Sequence, residues 1–81
     1  MTAPEYPPLR LTDREVQILY MLTTRAMRPD EVADELGIAP STVRQRVRDA
    51  MRRNGFRDRF ALGLRLVHQD EVELIRSDHL R

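Results

Sequence analysis

Between Arg28 and Gly55 the sequence RPDEVADELGIAPSTVRQRVRDAMRRNG has room for two helices and one tight turn, and for little else. Pro29 suits the first position of a helix, where its missing N–H has no partner to lose, and Asp30 and Glu31 sit against the positive end of the helix dipole. Val32, Ala33 and Leu36 give that helix an apolar side. Gly37 then supplies the backbone freedom to leave it, and Ile38 plugs the corner. Pro40, Ser41 and Thr42 open a second helix with Ala39 to Ser41 at its cap, and apolar residues return at Val43, Val47, Ala50 and Met51. The pattern predicts a helix–turn–helix whose second helix covers about residues 40–54.

The second helix has two unlike faces. At about 100° per residue, Val43, Val47 and Ala50 fall within roughly 60° of one another, so that side turns to the core. Ser41, Arg44, Gln45, Arg48 and Arg52 point away from it, and Arg46 and Arg53 lie on one flank, where a strand of phosphates would pass. Arginine forks and an amide are the groups that pair bidentately with guanine and adenine edges in a major groove. A basic helix face is also a common solvated surface, and the distribution of charge decides between the two. Residues 39–60 carry seven arginines against two aspartates, a balance of +5, whereas the first 38 residues hold four arginines against seven acids, a balance of −3. A chain of net charge +1 thus concentrates its positive field on the one element shaped to enter a groove.

Eighty-one residues with 41% hydrophobic content, two Phe and two Tyr make one small domain with a thin, aliphatic core. There is no cysteine for a disulfide or thiolate metal site, and no apolar run approaches a membrane span or signal sequence, so the expected compartment is the cytoplasm. All fourteen basic residues are Arg, which a GC-rich genome explains as well as function does. His68 and His79 stand apart from each other, Ser41 serves as a cap, and no glycine-rich phosphate loop or acid/base constellation appears. We therefore expect no enzyme, no metal and no cofactor.

Residues 1–10 contain Pro4, Pro7 and Pro8 and read as an extended, flexible arm, either a disordered leader or a segment whose Arg10 and Tyr6 touch a DNA backbone. Thr12-Asp13-Arg14-Glu15 is a capping box that starts helix one. Val16, Ile18, Leu19, Tyr20 and Leu22 carry its apolar stripe to about Thr24, and Leu11 staples the entry. Thr23 to Arg28 is a short connection. Asn54-Gly55 stops the basic helix, with Phe56 folding back on it. Asp58 caps a fourth helix over about residues 58–68, with Phe60, Leu64 and Val67 on one side and Leu62 and Leu66 nearly opposite. One domain buries only one of these stripes. Leu62 and Leu66, with Gly63 and Ala61 allowing close approach, are the candidate self-association surface; alternatively they pack under the tail. That tail, residues 69–81, extends helix four, forms a short strand against a partner, or stays loose.

Taken together, these residues resemble the LuxR-type (GerE-like) DNA-binding domain of bacterial transcription regulators over Leu11 to about Val67. Leu11 to Glu15 looks like its LTxRE opening, Glu31-Val32-Ala33 like EIA, Leu36-Gly37-Ile38 like its turn and Thr42-Val43-Arg44 like TVK. Arg53, Gly55 and Phe56 match K, G and V of its KLGV, and Arg59 and Ala61 fit the start of its fourth helix. The resemblance implies an all-α, four-helix domain over residues 11–68 whose third helix reads the major groove and whose fourth pairs with its counterpart in a homodimer. Arg44, Gln45 and Arg48 would face bases. Thr42, Arg46 and Arg53, joined by Ser41 and Arg52, would face phosphate, and Leu62, Gly63, Leu66 and Arg59 would form the dimer contact. Three positions depart from that pattern: Ala26 stands for a usual glycine, Arg28 for a capping Ser or Thr, and Asn54 for leucine. The segment Glu31 to Arg53 is also similar to region 4 of bacterial sigma factors, which reads promoter DNA and touches RNA polymerase. The Gly55-Phe56 stop and the helix after it favour the LuxR-type pattern.

Two functions follow as expectations. The first is a sequence-specific, dimeric transcription regulator binding double-stranded DNA. The second is a protein-interaction module that binds another regulator or RNA polymerase through Leu62, Leu66 and the tail, for which Asp49 in the basic helix leaves room. The Met1 start and the tail beyond helix four read as a complete small protein rather than an excised domain.

Overall fold

The computed structural model of the chain describes residues 7–68 and 71–76. Residues 1–6 of the arm, with Tyr6, and residues 69–70 and 77–81 of the tail, with His79, lie outside that range. The elements are β1 (Leu9–Leu11), α1 (Asp13–Thr23), α2 (Pro29–Leu36), α3 (Pro40–Asn54), α4 (Arg59–His68) and β2 (Val72–Leu74). The four expected helices are present, as a small all-α helix–turn–helix domain requires. No helix among the described residues is long and apolar enough to cross a membrane.

Local chemistry sets most of the boundaries. The Thr12 hydroxyl accepts from the Glu15 N–H at 3.1 Å and the Glu15 carboxylate accepts from the Thr12 N–H at 2.9 Å, the reciprocal box that starts α1. Thr24 ends the helix by donating both its N–H and its hydroxyl to the Tyr20 carbonyl. At the entry to α2 only half a box forms: Glu31 accepts from the Arg28 N–H at 2.9 Å, and a guanidinium has no lone pair to return the bond. Gly37 and Gly55 both adopt left-handed φ, at 69° and 75°, and Ile38 and Phe56 donate back to Ala33 and Met51 in matching Schellman closures. Ala26 also lies left-handed, with φ of 50°, so the connection between α1 and α2 keeps the bend a glycine would make and bears the Cβ strain.

Two apolar clusters share α1. Ile18, Met21 and Leu22 meet Val32, Ala33, Val43 and Val47, joining α1, α2 and α3. Leu19 turns to the second cluster with Ala50, Leu62, Leu66, Leu9 and Leu11, joining α1, α3, α4 and β1. Met51 packs against both and ties the recognition pair to the rest.

Three expectations are corrected here. The extended arm was to reach residue 10, yet Leu9 is only 1% exposed and β1 pairs in parallel with β2, Leu9 opposite Val72 and Leu11 opposite Leu74. The described part of the tail is thus a short strand on this chain's own β1. Leu62, Gly63 and Leu66 were to form a dimer contact, but Leu62 is 0% and Leu66 2% exposed within the chain's own core. The reason is Gly63: a Cβ there would collide with Thr23 Oγ1 on α1, so the small residue sets the face that docks. Phe60, Leu64 and Val67 are left facing outward.

Candidate nucleic-acid interface

The site is built on α3. Its inner side is fixed by Val43, Val47 and Ala50, all buried, so the outer side is determined by the helical repeat. Arg44, Gln45, Arg48 and Arg52 are exposed there, and Ser41 is exposed in the first turn. Ser41, Thr42, Gln45, Arg46, Arg48 and Asp49 line a shallow, open concavity along successive turns. Two of the expected base-facing residues, Gln45 and Arg48, therefore share this surface with three of the expected phosphate contacts, Ser41, Thr42 and Arg46, while Arg44 is exposed on the same helix outside the concavity.

The side chains on this face are ordered by one another. Gln45 Nε2 donates to Asp49 Oδ1 at 2.8 Å, and Arg48 donates to Gln45 Oε1 at 3.2 Å. Arg44 leans toward Asp30 at the start of α2, 3.9 Å away with both groups largely exposed. Such a pair is weak and yields readily to a phosphate or base. Arg46 and Arg52 have no ion partner among the described residues. The N-terminus of α3 is open as well. Ala39 is the cap residue and offers no side-chain acceptor, and Ser41 sits inside the first turn instead of capping it, which corrects its expected role as a cap.

Arg53 does not join the interface. Its guanidinium grips the Glu15 carboxylate with two hydrogen bonds of 2.7 and 2.9 Å, and its Nη1 donates also to the Arg10 carbonyl. Its side chain is 13% exposed and that of Glu15 1%. The hydrogen bonds to Glu15 raise the Arg53 pKa further, so the cation is permanent. The expected phosphate contact is a structural ion pair. Asn54 beside it accepts from the Arg10 N–H at 2.8 Å and donates to the Arg10 carbonyl at 3.0 Å, pairing with the outer edge of β1 as a further strand would. Spacing along the chain gave no sign of either link, because both partners lie more than forty or nearly forty residues away. The Gln45–Asp49 and Gln45–Arg48 contacts, at i+4 and i+3, were within reach of the helical repeat and were missed.

At the other end of the helix pair, Arg25 donates two hydrogen bonds to Glu35, at 2.6 and 3.1 Å, bracing the connection against α2. Those bonds hold the Glu35 carboxyl below the usual carboxylate range. Any stability from this exposed pair is complete at neutral pH and is lost as pH falls through that lowered pKa. No group of His, Asp and Glu among the described residues has the arrangement of a metal site.

The family model described as sigma-70, region 4 matches residues 9–53, from the first residue of β1 to the last turn of α3. No curated protein and no solved structure matches the chain significantly.

Proposed function

The chain belongs to the sigma-70 region 4 family, a helix–turn–helix DNA-binding region of the transcription machinery, and on that premise we propose that it binds double-stranded DNA in a sequence-specific way through the outer face of α3. Arg44, Gln45 and Arg48 read base edges in the major groove. Ser41, Thr42, Arg46 and Arg52 take phosphate oxygens on either side. One observation carries the reading: the amphipathic α3 buries Val43, Val47 and Ala50 and leaves a basic, amide-bearing face open to solvent. The protein acts in this reading as a non-enzymatic regulator or promoter-recognition module in a bacterial cytoplasm, with RNA polymerase as a protein partner.

A second reading, the GerE-like one, adds pairing of two copies through α4. It is favoured by the solvent-facing stripe of Phe60, Leu64 and Val67, at 62%, 39% and 36% exposure, with Arg59 exposed at the head of the helix. This stripe replaces the Leu62 and Leu66 contact.

Selection of bound sequences from a random DNA pool tests both. Enrichment of one motif supports base reading, and two related half-sites about one helical turn apart support the paired form. Against the enriched sequence, Arg48→Ala should cost about 1–3 kcal/mol and relax preference at one base pair. An equal loss on every sequence would remove Arg48 from the base readers, and no enrichment at all would favour the protein-interaction role.

A further inference from the structure

α3 carries one acidic residue, Asp49, among five arginines. On a helix that approaches phosphates a carboxylate weakens binding to every sequence, so its presence asks for another use. Asp49 makes no ion pair among the described residues; its charge favours the Arg53 cation from a distance, and its carboxylate accepts a hydrogen bond from Gln45 Nε2. We propose that Asp49 is a positioning residue for base recognition: it fixes the Gln45 amide in one orientation and thereby sets the base that Gln45 accepts. The proposal rests on the reading of α3 as a DNA-recognition helix.

The chemistry of the three groups enforces the orientation. An amide alone is indifferent to a half-turn that exchanges its oxygen and nitrogen. Between Asp49 and Arg48 it is not, because a carboxylate only accepts and a guanidinium only donates. The observed order sets Nε2 on Asp49 and Oε1 on Arg48. The exchanged order would set oxygen against carboxylate and N–H against N–H. Each end of the amide then has one capacity left, a hydrogen on Nε2 and a lone pair on Oε1. Those two, held side by side, are the donor and acceptor that meet N7 and N6 of adenine. Because all three residues lie on one exposed helix, the orientation exists before DNA arrives and need not be ordered on binding.

Removing the carboxylate therefore has two effects of opposite direction. Asp49→Ala should tighten binding to scrambled DNA, since one negative charge leaves the interface, while discrimination falls about tenfold at the base pair read by Gln45. Gln45→Ala identifies that base pair. The double variant should discriminate there no worse than Gln45→Ala alone, and Asp49→Asn, which keeps a carbonyl acceptor, should retain most of the preference while still binding scrambled DNA more tightly. The experiment measures the affinity of each variant of the full chain for the enriched site and for each single base-pair change in it. In parallel, the Gln45 side-chain amide resonances of the free protein should move in Asp49→Ala and little in Asp49→Asn.

A uniform gain of affinity on all sequences would reduce Asp49 to a bulk charge and overturn the proposal. So would a loss of preference confined to a base pair that Gln45→Ala leaves untouched, which would make Asp49 a direct reader. If the wild-type chain enriches no sequence, the DNA reading itself fails, and that result is distinct from either of these.

Discussion

Arg53 changes its meaning between the sequence and the folded chain. Along α3 it is one more arginine on a basic helix. In three dimensions it neutralises Glu15, a carboxylate with 1% of its surface exposed that also completes the Thr12 cap. Arg53→Met would leave that charge buried with the Thr12 N–H and without its cation, and should lower stability by about 2–4 kcal/mol in urea unfolding, with or without DNA present. Loss of DNA affinity with unchanged stability would restore Arg53 to the phosphate contacts. The capping half of this network was legible, since Thr12 and Glu15 stand at a spacing that only a helix start rewards. The Arg53 half was not, because it depends on how α3 crosses α1.

Among the elements, α4 shows most plainly where pattern reading stops. Its two stripes were visible, as was the Asp58 cap, whose carboxylate accepts from the Phe60 N–H at 3.0 Å. Which stripe goes inward is decided by closeness of approach rather than by hydrophobicity, and Gly63 decides it. Adding a methyl group there meets Thr23 Cβ at 3.2 Å, and a rotation of Thr23 that removes the hydroxyl leaves that distance unchanged. Gly63→Ala should therefore destabilise by about 1–2 kcal/mol despite the better helix propensity of alanine. Thr23→Ala should recover part of the loss, measured as a double-mutant cycle. A stabilising Gly63→Ala would mean that α1 and α4 do not pack this closely. The recognition pair was far more legible, because Pro29, Gly37, Pro40 and Gly55 punctuate it and its apolar repeat leaves one choice of inner face.

At the scale of the whole molecule, the parts least legible in the sequence were the ends. Three-residue strands carry no periodic signal, and the partner of each lies on the far side of all four helices in the chain. Ending the chain after His68 should leave the helices folded but uncover Leu9 and Leu11 on the side that Val72 shields. We expect a loss of about 1–2 kcal/mol, a fall of roughly 5–10 °C in Tm. An unchanged Tm would make β2 a passive appendage. The parallel register also gives the ribbon a mechanical character. β1 begins at Leu9 beside Val72, and β2 finishes at Leu74 beside Leu11, so the two strands run the same way and the chain emerges from opposite ends of the ribbon. Tension applied to the two ends would slide the strands lengthwise past each other, loading their hydrogen bonds in shear, all at once, instead of unzipping them one by one. The ribbon is the latch that such a pull must break before any helix behind it feels the load.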